Sequence, residues 1–363
     1  MKRAIQSVVA LAIAAAALWF TVRDKPLDQV WRAAREADYR YLAPYVATLL
    51  AIHLARTVRW GILLEPVAKV PFSRLNAVSA VGFMALMLLP FRLGEFARPY
   101  LISGRDVRVS AAMSSVVVER VADGLFTALL LVVTLLAVPG SGDALRRWRW
   151  GGALVFLAFL AVLGFLVLAY RNRSLAVRIA HRIVDPLSPR AAARIAGMLD
   201  AFIHGLRLVP SRGKVALFFA LTAAYWGVNG LGMQLLARGF GLHLDAVAAF
   251  SVLGILVVGV MIPAPPGMIG TFQAFVVAGL SLFVPPETAA GRDVAYAFVL
   301  WGAQLLTTAA LGVAFLFSRH IPLGRILRAP SEVEEGLQEE EARYVAAQDS
   351  SAPARAGRDG PGR

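Results

Sequence analysis

Clusters of charged and helix-breaking residues interrupt long apolar runs in this sequence, and they restrict its fold more than any other feature does. The clearest interruption is Leu89–Pro99, where prolines, a glycine, a carboxylate and two guanidiniums stand between apolar segments. Only 17% of the residues are charged, whereas soluble domains have about 25%. The sequence therefore predicts an integral membrane protein. A charge at a depth where lipid is expected is costly, so each cluster is a hypothesis for a functional site.

The apolar runs predict an all-α, polytopic membrane protein with about six full transmembrane helices. These runs lie near residues 5–22, 41–64, 110–138, 152–170, 215–236 and 294–317. Two further segments are predicted to be re-entrant or broken: about 75–103, interrupted at Pro90, and about 246–284, interrupted at Pro263. As re-entrant hairpins they would enter from opposite sides, as broken helices do in many transporters built from inverted repeats. An inverted repeat is therefore one hypothesis for the fold.

Lysine and arginine outnumber aspartate and glutamate by 37 to 23. In so hydrophobic a chain this excess is typical of cytoplasmic loops beside anionic headgroups, so no nucleic-acid partner is expected. With two re-entrant hairpins, both termini lie on the more basic side, which predicts an inner-membrane protein with cytoplasmic termini. The basic loop at 146–149 lies on the other side and counts against this topology. Residues 1–320 are predicted to form the membrane domain, and residues 321–363 a disordered cytoplasmic tail.

The first polar motif combines a helix break with charges that suit an anion. Pro90 removes a backbone donor, and Gly94 allows close approach of another chain segment. Arg92 and Arg98 offer guanidinium forks that can hold a phosphate bidentately. Glu95 could hold one of these arginines, bind a proton or meet a cationic headgroup. The alternative interpretation is an interfacial loop whose charges are solvated.

The second polar motif lies in the predicted helix near 110–138. The spacing of Glu119, Arg120 and Asp123 lets Arg120 pair with Asp123 on one helix. One interpretation is a structural ion pair that locks helix packing. In the other, Arg120 contacts a substrate phosphate while Glu119 or Asp123 sets its orientation.

Three polar residues share one arc of the second predicted span. Arg56 lies deeper and is a further candidate for the substrate site. Arg59 lies near a helix end and is expected to snorkel to the interface. His53 by itself is more typical of a satisfied interior histidine than of a proton relay.

The third interruption contains proline, glycine and neutral polar groups but no charge. Its candidate cavity or hinge residues are Pro263, Pro266, Gly267, Gly270 and Gln273. Regular helix is not compatible with this composition. We interpret it either as a backbone-lined part of a cavity or as a hinge.

These motifs make the chain resemble the flippase-like family, also named for the transmembrane domain of lysylphosphatidylglycerol synthase. The residues that carry the resemblance are Pro90-x-Arg92-x-Gly94-Glu95-x-x-Arg98, Glu119-Arg120-x-x-Asp123-Gly124 and Pro263-x-x-Pro266-Gly267-x-x-Gly270-x-x-Gln273. The resemblance extends to about residue 320. The third motif of the family usually has two glycines and then a glutamate, so this chain departs from it at Met268 and Gln273.

The resemblance implies a protein that binds and translocates an anionic lipid, either a phospholipid or a polyprenyl-phosphate-linked lipid. Arg92, Arg98 and Arg120 would bind its phosphate. Because the tail is short, we expect the translocation half of such proteins without the aminoacyltransferase domain. The sequence has no cysteine, P-loop, HExxH or GxSxG motif, so we expect neither an enzyme nor a bound cofactor or metal.

Two alternatives come from other functional classes. The chain could be a membrane subunit or enzyme of lipid or lipid-linked glycan modification, acting with a separate soluble synthase or glycosyltransferase. It could also be a scaffold that recruits such a synthase through the basic connection at 171–213. Product formation by the purified protein would support the first alternative, and co-purification the second.

Overall fold

The computed structural model describes residues 25–89, 94–104, 106–140, 142–172, 211–261 and 266–318, together with 12, 15–19, 21–23, 175, 178, 179, 182 and 321. Within these residues every regular element is a helix, which confirms the predicted all-α class. Pro90, Arg92 and Pro263 lie outside the described residues. So do most of the predicted first span, most of the 171–213 connection, and residues 322–363.

The helices are numbered here in chain order. They are α1 Leu27–Glu36, α2 Leu42–Leu64, α3 Phe72–Leu88, α4 Ala97–Ile102, α5 Val109–Ala137, α6 Asp143–Arg171, α7 Arg212–Gly239, α8 Ala246–Val260, α9 Thr271–Leu280, α10 Pro286–Ala289 and α11 Arg292–Leu316. Short 3-10 turns at Tyr39–Tyr41 and Pro266–Met268 precede α2 and α9.

Four helical segments of the described chain are long and apolar enough to cross a membrane. They are Tyr39–Leu64, Asp143–Arg171, Arg212–Gly239 and Arg292–Leu316. Helix α5 has 29 residues and is about 44 Å long, which also exceeds the hydrocarbon thickness of roughly 30 Å. These helices correspond to the predicted spans from the second onward. Helix α6 exposes Leu154, Leu157 and Leu160, as a lipid-facing helix does. The chain is a multi-pass membrane protein.

The first broken segment is a helix hairpin, formed by α3 and α4 and called hairpin 1. Gly94 lies directly against the backbone of Ala85 and Leu86, and Gly82 lies against the side chain of Arg98. The later residue Arg98 thus contacts the earlier position on α3, and Gly94 the later one. The hairpin is therefore antiparallel, with α4 running back along α3. A side chain at Gly94 would collide with the main chain of α3, so glycine permits this close return.

The second broken segment, called hairpin 2, is built in the same way from α8 and α9. Gly259 packs against Phe275, and Gly279 packs against Val252, so α9 returns along α8. The turn Pro266–Met268 joins the two helices and packs against α3. Both predicted helix breaks are therefore confirmed, and the tip of one hairpin contacts the other hairpin.

The two hairpins have their bases at opposite ends of α11. Leu75 and Ile102, at the base of hairpin 1, pack with Leu64 and with Leu316, the last residue of α11. Hairpin 2 leads through α10 into the first residue of α11, Arg292. The hairpins thus enter from opposite sides of the helical layer, as predicted.

The order helix, hairpin, helix occurs twice in the chain, first as α2, hairpin 1 and α5 and then as α7, hairpin 2 and α11. Helices α2 and α7 pack along each other in opposite directions. Glu65 at the end of α2 pairs with Lys214 at the start of α7, and Asp38 before α2 donates its backbone N–H to Gly239 at the end of α7 over 2.8 Å. This is the element order of the predicted inverted repeat.

Gly94→Ala tests the close return in hairpin 1. We expect a loss of roughly 1–3 kcal/mol of stability, because the added methyl group meets backbone that cannot rotate away. The thermal midpoint of the purified protein in detergent measures this loss.

Gly302→Ala in α11 is the matched control, because nothing lies near the position of its added methyl group. Equal midpoints for the two variants would contradict the packing described for hairpin 1.

Candidate functional site

A buried ion-pair network joins α2 to α5. Arg59, which is fully buried, donates from Nη2 to Glu119 Oε1 over 2.9 Å and to Asp123 Oδ2 over 2.8 Å. Its Nη1 also contacts the other oxygen of Asp123. The same Nη1 donates to Thr222 Oγ1 of α7 over 3.0 Å. A single guanidinium therefore connects three membrane-spanning helices.

Hairpin 1 joins this network through Arg98. Its Nη1 donates to the second carboxylate oxygen of Glu119 over 3.0 Å, so Glu119 is held between two guanidiniums. The Arg98 guanidinium carbon also lies 4.6 Å from the ring centroid of Phe83 and 5.1 Å from that of Trp60. These aromatic faces favour a nearby cation.

A second ion pair lies nearer the turn of hairpin 1. Arg120 Nε donates to Glu95 Oε2 over 2.9 Å, and the two side chains are 31% and 18% exposed. This pair ties the turn of hairpin 1 to α5 beside the more deeply buried network.

The buried network has a large structural consequence. Charges in a low-dielectric interior are tolerated only when they are paired and hydrogen-bonded. Removing one partner leaves an uncompensated charge, which costs about 3–5 kcal/mol in buried pairs. The network therefore fixes hairpin 1 against α2, α5 and α7.

Two sequence-based predictions about these charges are wrong. Arg120 does not pair with Asp123 but with Glu95. Consecutive residues of a helix point about 100° apart, so Arg120 faces away from the side of α5 on which Glu119 lies. Asp123 lies one turn after Glu119 on the same face, and both reach Arg59. Arg59 does not snorkel to an interface but is fully buried. A signal for this pairing was available, since two carboxylates four residues apart on one buried face require a cation from another helix.

A polar cavity lies beside this network, between α2, α3 and α11. It has a volume of about 50 Å³. Its polar lining residues are His53, Arg56, Gln304, Thr307 and Thr308. The three residues from α11 fall on one helical face, and sequence analysis did not single them out, although their spacing of three and four residues on an apolar helix marks a polar stripe.

Arg56 is the charged residue of this cavity. Its guanidinium carbon lies 3.6 Å from the ring centroid of Phe83, the ring that Arg98 also contacts. Its Nε is buried and finds no hydrogen-bond partner among the described residues. No described carboxylate forms an ion pair with Arg56. His53, in contrast, shares a 2.9 Å hydrogen bond between Nε2 and Asn76 Oδ1, as predicted for a satisfied interior histidine.

The charged core is defined here as the seven ionisable residues of these contacts: Arg56, Arg59, Arg98, Arg120, Glu95, Glu119 and Asp123. Among these described residues, four arginines face three carboxylates. These seven side chains therefore have one more positive than negative formal charge. Arg56 forms no ion pair with a described carboxylate, while Nη2 of Arg98 and Nη2 of Arg120 are also buried without a hydrogen-bond partner among the described residues.

The third motif has a backbone role in the described residues. Gln273 is fully buried, and its Oε1 accepts from the backbone N–H of Gly270 over 2.7 Å at the start of α9. Gly267 and Gly270 have φ of +70° and +82°, where glycine is favoured. Trp301 of α11 donates from Nε1 to the Gly267 carbonyl over 2.6 Å. The motif, with Pro266 at the turn, therefore packs as a capped tip against α3 and α11.

The structure brings the first and second motifs together through ion pairs, and it places the third against α3. Together these features define a class: an all-α, multi-pass membrane protein with two opposed helix hairpins and a charged core. The family model for the lysylphosphatidylglycerol synthase TM region matches residues 7–312. The chain belongs to this family, which confirms the predicted resemblance and links it to lipid modification or transport. No curated protein matches the sequence.

Glu119→Gln tests whether the buried network holds the fold together. The change keeps the side-chain shape but leaves Arg59 and Arg98 short of one negative charge. We expect a loss of about 3–5 kcal/mol, seen as a lower thermal midpoint and a lower yield of monodisperse protein.

Glu65→Gln serves as the control, because it breaks the exposed pair with Lys214, whose side chain is 43% exposed. Surface pairs contribute only about 0–1 kcal/mol. If both variants lost the same small amount, the network would not have the structural importance described here.

Proposed function

We propose that this protein binds an anionic lipid, a phospholipid or a polyprenyl-phosphate-linked lipid, and translocates it across the inner membrane. The observation that carries the proposal is the excess positive charge of the charged core. Arg56 has no carboxylate partner among the described residues, and it borders a cavity with hydroxyl and amide groups. A guanidinium at membrane depth is costly unless an anion accompanies it. A lipid phosphate supplies that anion.

The hairpins support movement of the lipid rather than static binding. In transporters, two broken segments entering from opposite sides build the substrate site near the midplane, and one half rocks against the other. Here the tip of hairpin 2 packs against α3 of hairpin 1, the helix that also lines the cavity beside Arg56. In this proposal the capped tip at Gly267 and Gly270 is the hinge predicted from sequence.

The predicted phosphate ligands receive different roles in this proposal. Arg98 and Arg120 already have carboxylate partners, so they position hairpin 1 and lend positive potential to the site. Glu95 orients Arg120. Asp123 holds Arg59. Arg56 is the direct ligand of the phosphate, and Arg92 remains a ligand predicted from the sequence.

The proposal assigns no catalytic step to this chain and places its termini in the cytoplasm. The competing function is a membrane subunit that acts with a soluble synthase or glycosyltransferase. It is favoured by the description of the family, which names a synthase.

Lipid movement in proteoliposomes tests the proposal. The purified protein is reconstituted with headgroup-labelled phosphatidylglycerol or phosphatidylcholine in the inner and outer leaflets, and a membrane-impermeant quencher reports the label that reaches the outer leaflet. We expect faster movement of phosphatidylglycerol than in protein-free vesicles, with little effect on phosphatidylcholine.

Equal rates for both lipids, or rates equal to those of protein-free vesicles, would contradict the proposed translocation. Co-purification of a soluble enzyme together with such rates would favour the competing function.

A further inference from the structure

We infer that the lipid enters sideways between α2 and α11, with an acyl chain in an apolar groove and its phosphate beside Arg56. This inference rests on the proposed function and assigns it a binding site. The site has three parts: an outer groove, a connecting pair of residues and the inner polar cavity.

The outer groove is open to the surroundings and has apolar walls. Its volume is about 460 Å³, and its lining residues are Val46, Leu50, Leu306, Thr307, Ala310 and Leu311. Leu50 and Leu306 are 41% and 70% exposed. Since α2 and α11 both cross the membrane, this groove faces the hydrocarbon region, where a lipid chain is the available apolar occupant.

The groove and the inner cavity adjoin each other. Thr307 and Leu311 line both of them. Along this line the lining changes from aliphatic side chains to the hydroxyl of Thr308, the amide of Gln304 and the guanidinium of Arg56. In the inferred binding mode the acyl chain lies in the outer groove and the phosphate in the inner cavity, with Thr307 and Leu311 between them.

The polarity of the two parts matches one kind of ligand. The inner cavity is larger than the minimum that one water molecule needs. Arg56 supplies the positive charge, and the hydroxyls and the amide can donate to the remaining phosphate oxygens. A free phosphate ion would make no favourable contact with the apolar groove, whereas a lipid would fill both parts. We therefore assign the site to a phosphate-bearing lipid.

The position of Arg56 makes a clean test possible. Arg59 and Arg98 hold buried carboxylates, so their removal leaves unpaired charge. Arg56 is half-buried and holds no described carboxylate, so Arg56→Gln should leave the fold intact. Arg56→Lys keeps the charge and is the conservative variant.

Native mass spectrometry of the full-length protein in detergent measures binding of phosphatidylglycerol and phosphatidylcholine. We expect wild type to retain phosphatidylglycerol preferentially. Arg56→Gln should weaken phosphatidylglycerol binding at least about tenfold and remove this preference, as expected for loss of a charge-assisted hydrogen bond. Arg56→Lys should retain most of the preference.

A groove variant separates chain binding from headgroup binding. Ala310→Trp fills the groove and should weaken both lipids to the same degree. Leu160→Trp on the exposed face of α6 is the matched control and should change neither. Thermal midpoints close to wild type confirm that the variants are folded.

Different failures have different meanings. If wild type prefers phosphatidylglycerol but Arg56→Gln and Ala310→Trp bind it unchanged, the site assignment is overturned and the proposed function stands. If excess inorganic phosphate displaces the lipid and Ala310→Trp has no effect, the cavity is a free-phosphate site. If wild type shows no preference for the anionic lipid, the proposed function fails as well.

Discussion

The pairing of Arg59 with Glu119 and Asp123 is the interaction on which the rest of the structure depends. It is buried, and it joins α2 to α5 and α7. Glu119 also pairs with Arg98, which adds hairpin 1 to the network. In a membrane interior, the hydrophobic effect gives little preference between one helix arrangement and another, because lipid tails are as apolar as the side chains. Charged pairs do give such a preference, since each unpaired alternative is costly. The network therefore selects the position of hairpin 1, and with it the position of the cavity.

The ion pairs divide the four arginines of the charged core into three that hold the fold together and one, Arg56, that forms no ion pair with a described carboxylate. Arg59, Arg98 and Arg120 each have a carboxylate partner, whereas Arg56 has an aromatic ring and no described carboxylate. In the proposed function, a phosphate enters beside Arg56 and leaves again without disrupting a buried pair. That is a physical requirement for a transport site, which has to bind its cargo and release it. In the same proposal the opposed hairpins supply the second requirement, a site that either side could approach.

Much of this architecture could be predicted from the sequence, because its determinants are local. Proline and glycine mark both helix breaks, and the length of the apolar runs gives the spans. The spacing of Glu119 and Asp123 places them on one face. The choice of Arg59 as their partner could not be predicted, because several arginines have similar reach and only the packing of α2 against α5 decides between them. The cap formed by Gln273 on Gly270 has the three-residue spacing of a capping box and could have been recognised. The stripe of Gln304, Thr307 and Thr308 could not be assigned to the cavity from the sequence, because only the packing of α11 beside α2 brings it next to Arg56.

The central claim is that the charged core is completed by one anionic lipid. Quantitative lipid analysis of the purified protein tests it most directly, with wild type compared with Arg56→Gln and each normalised to the membrane from which it was extracted. A single anionic lipid class enriched in wild type, at about one molecule per protein and lost in the variant, is the predicted result. A lipid composition equal to that of the surrounding membrane in both proteins would contradict it.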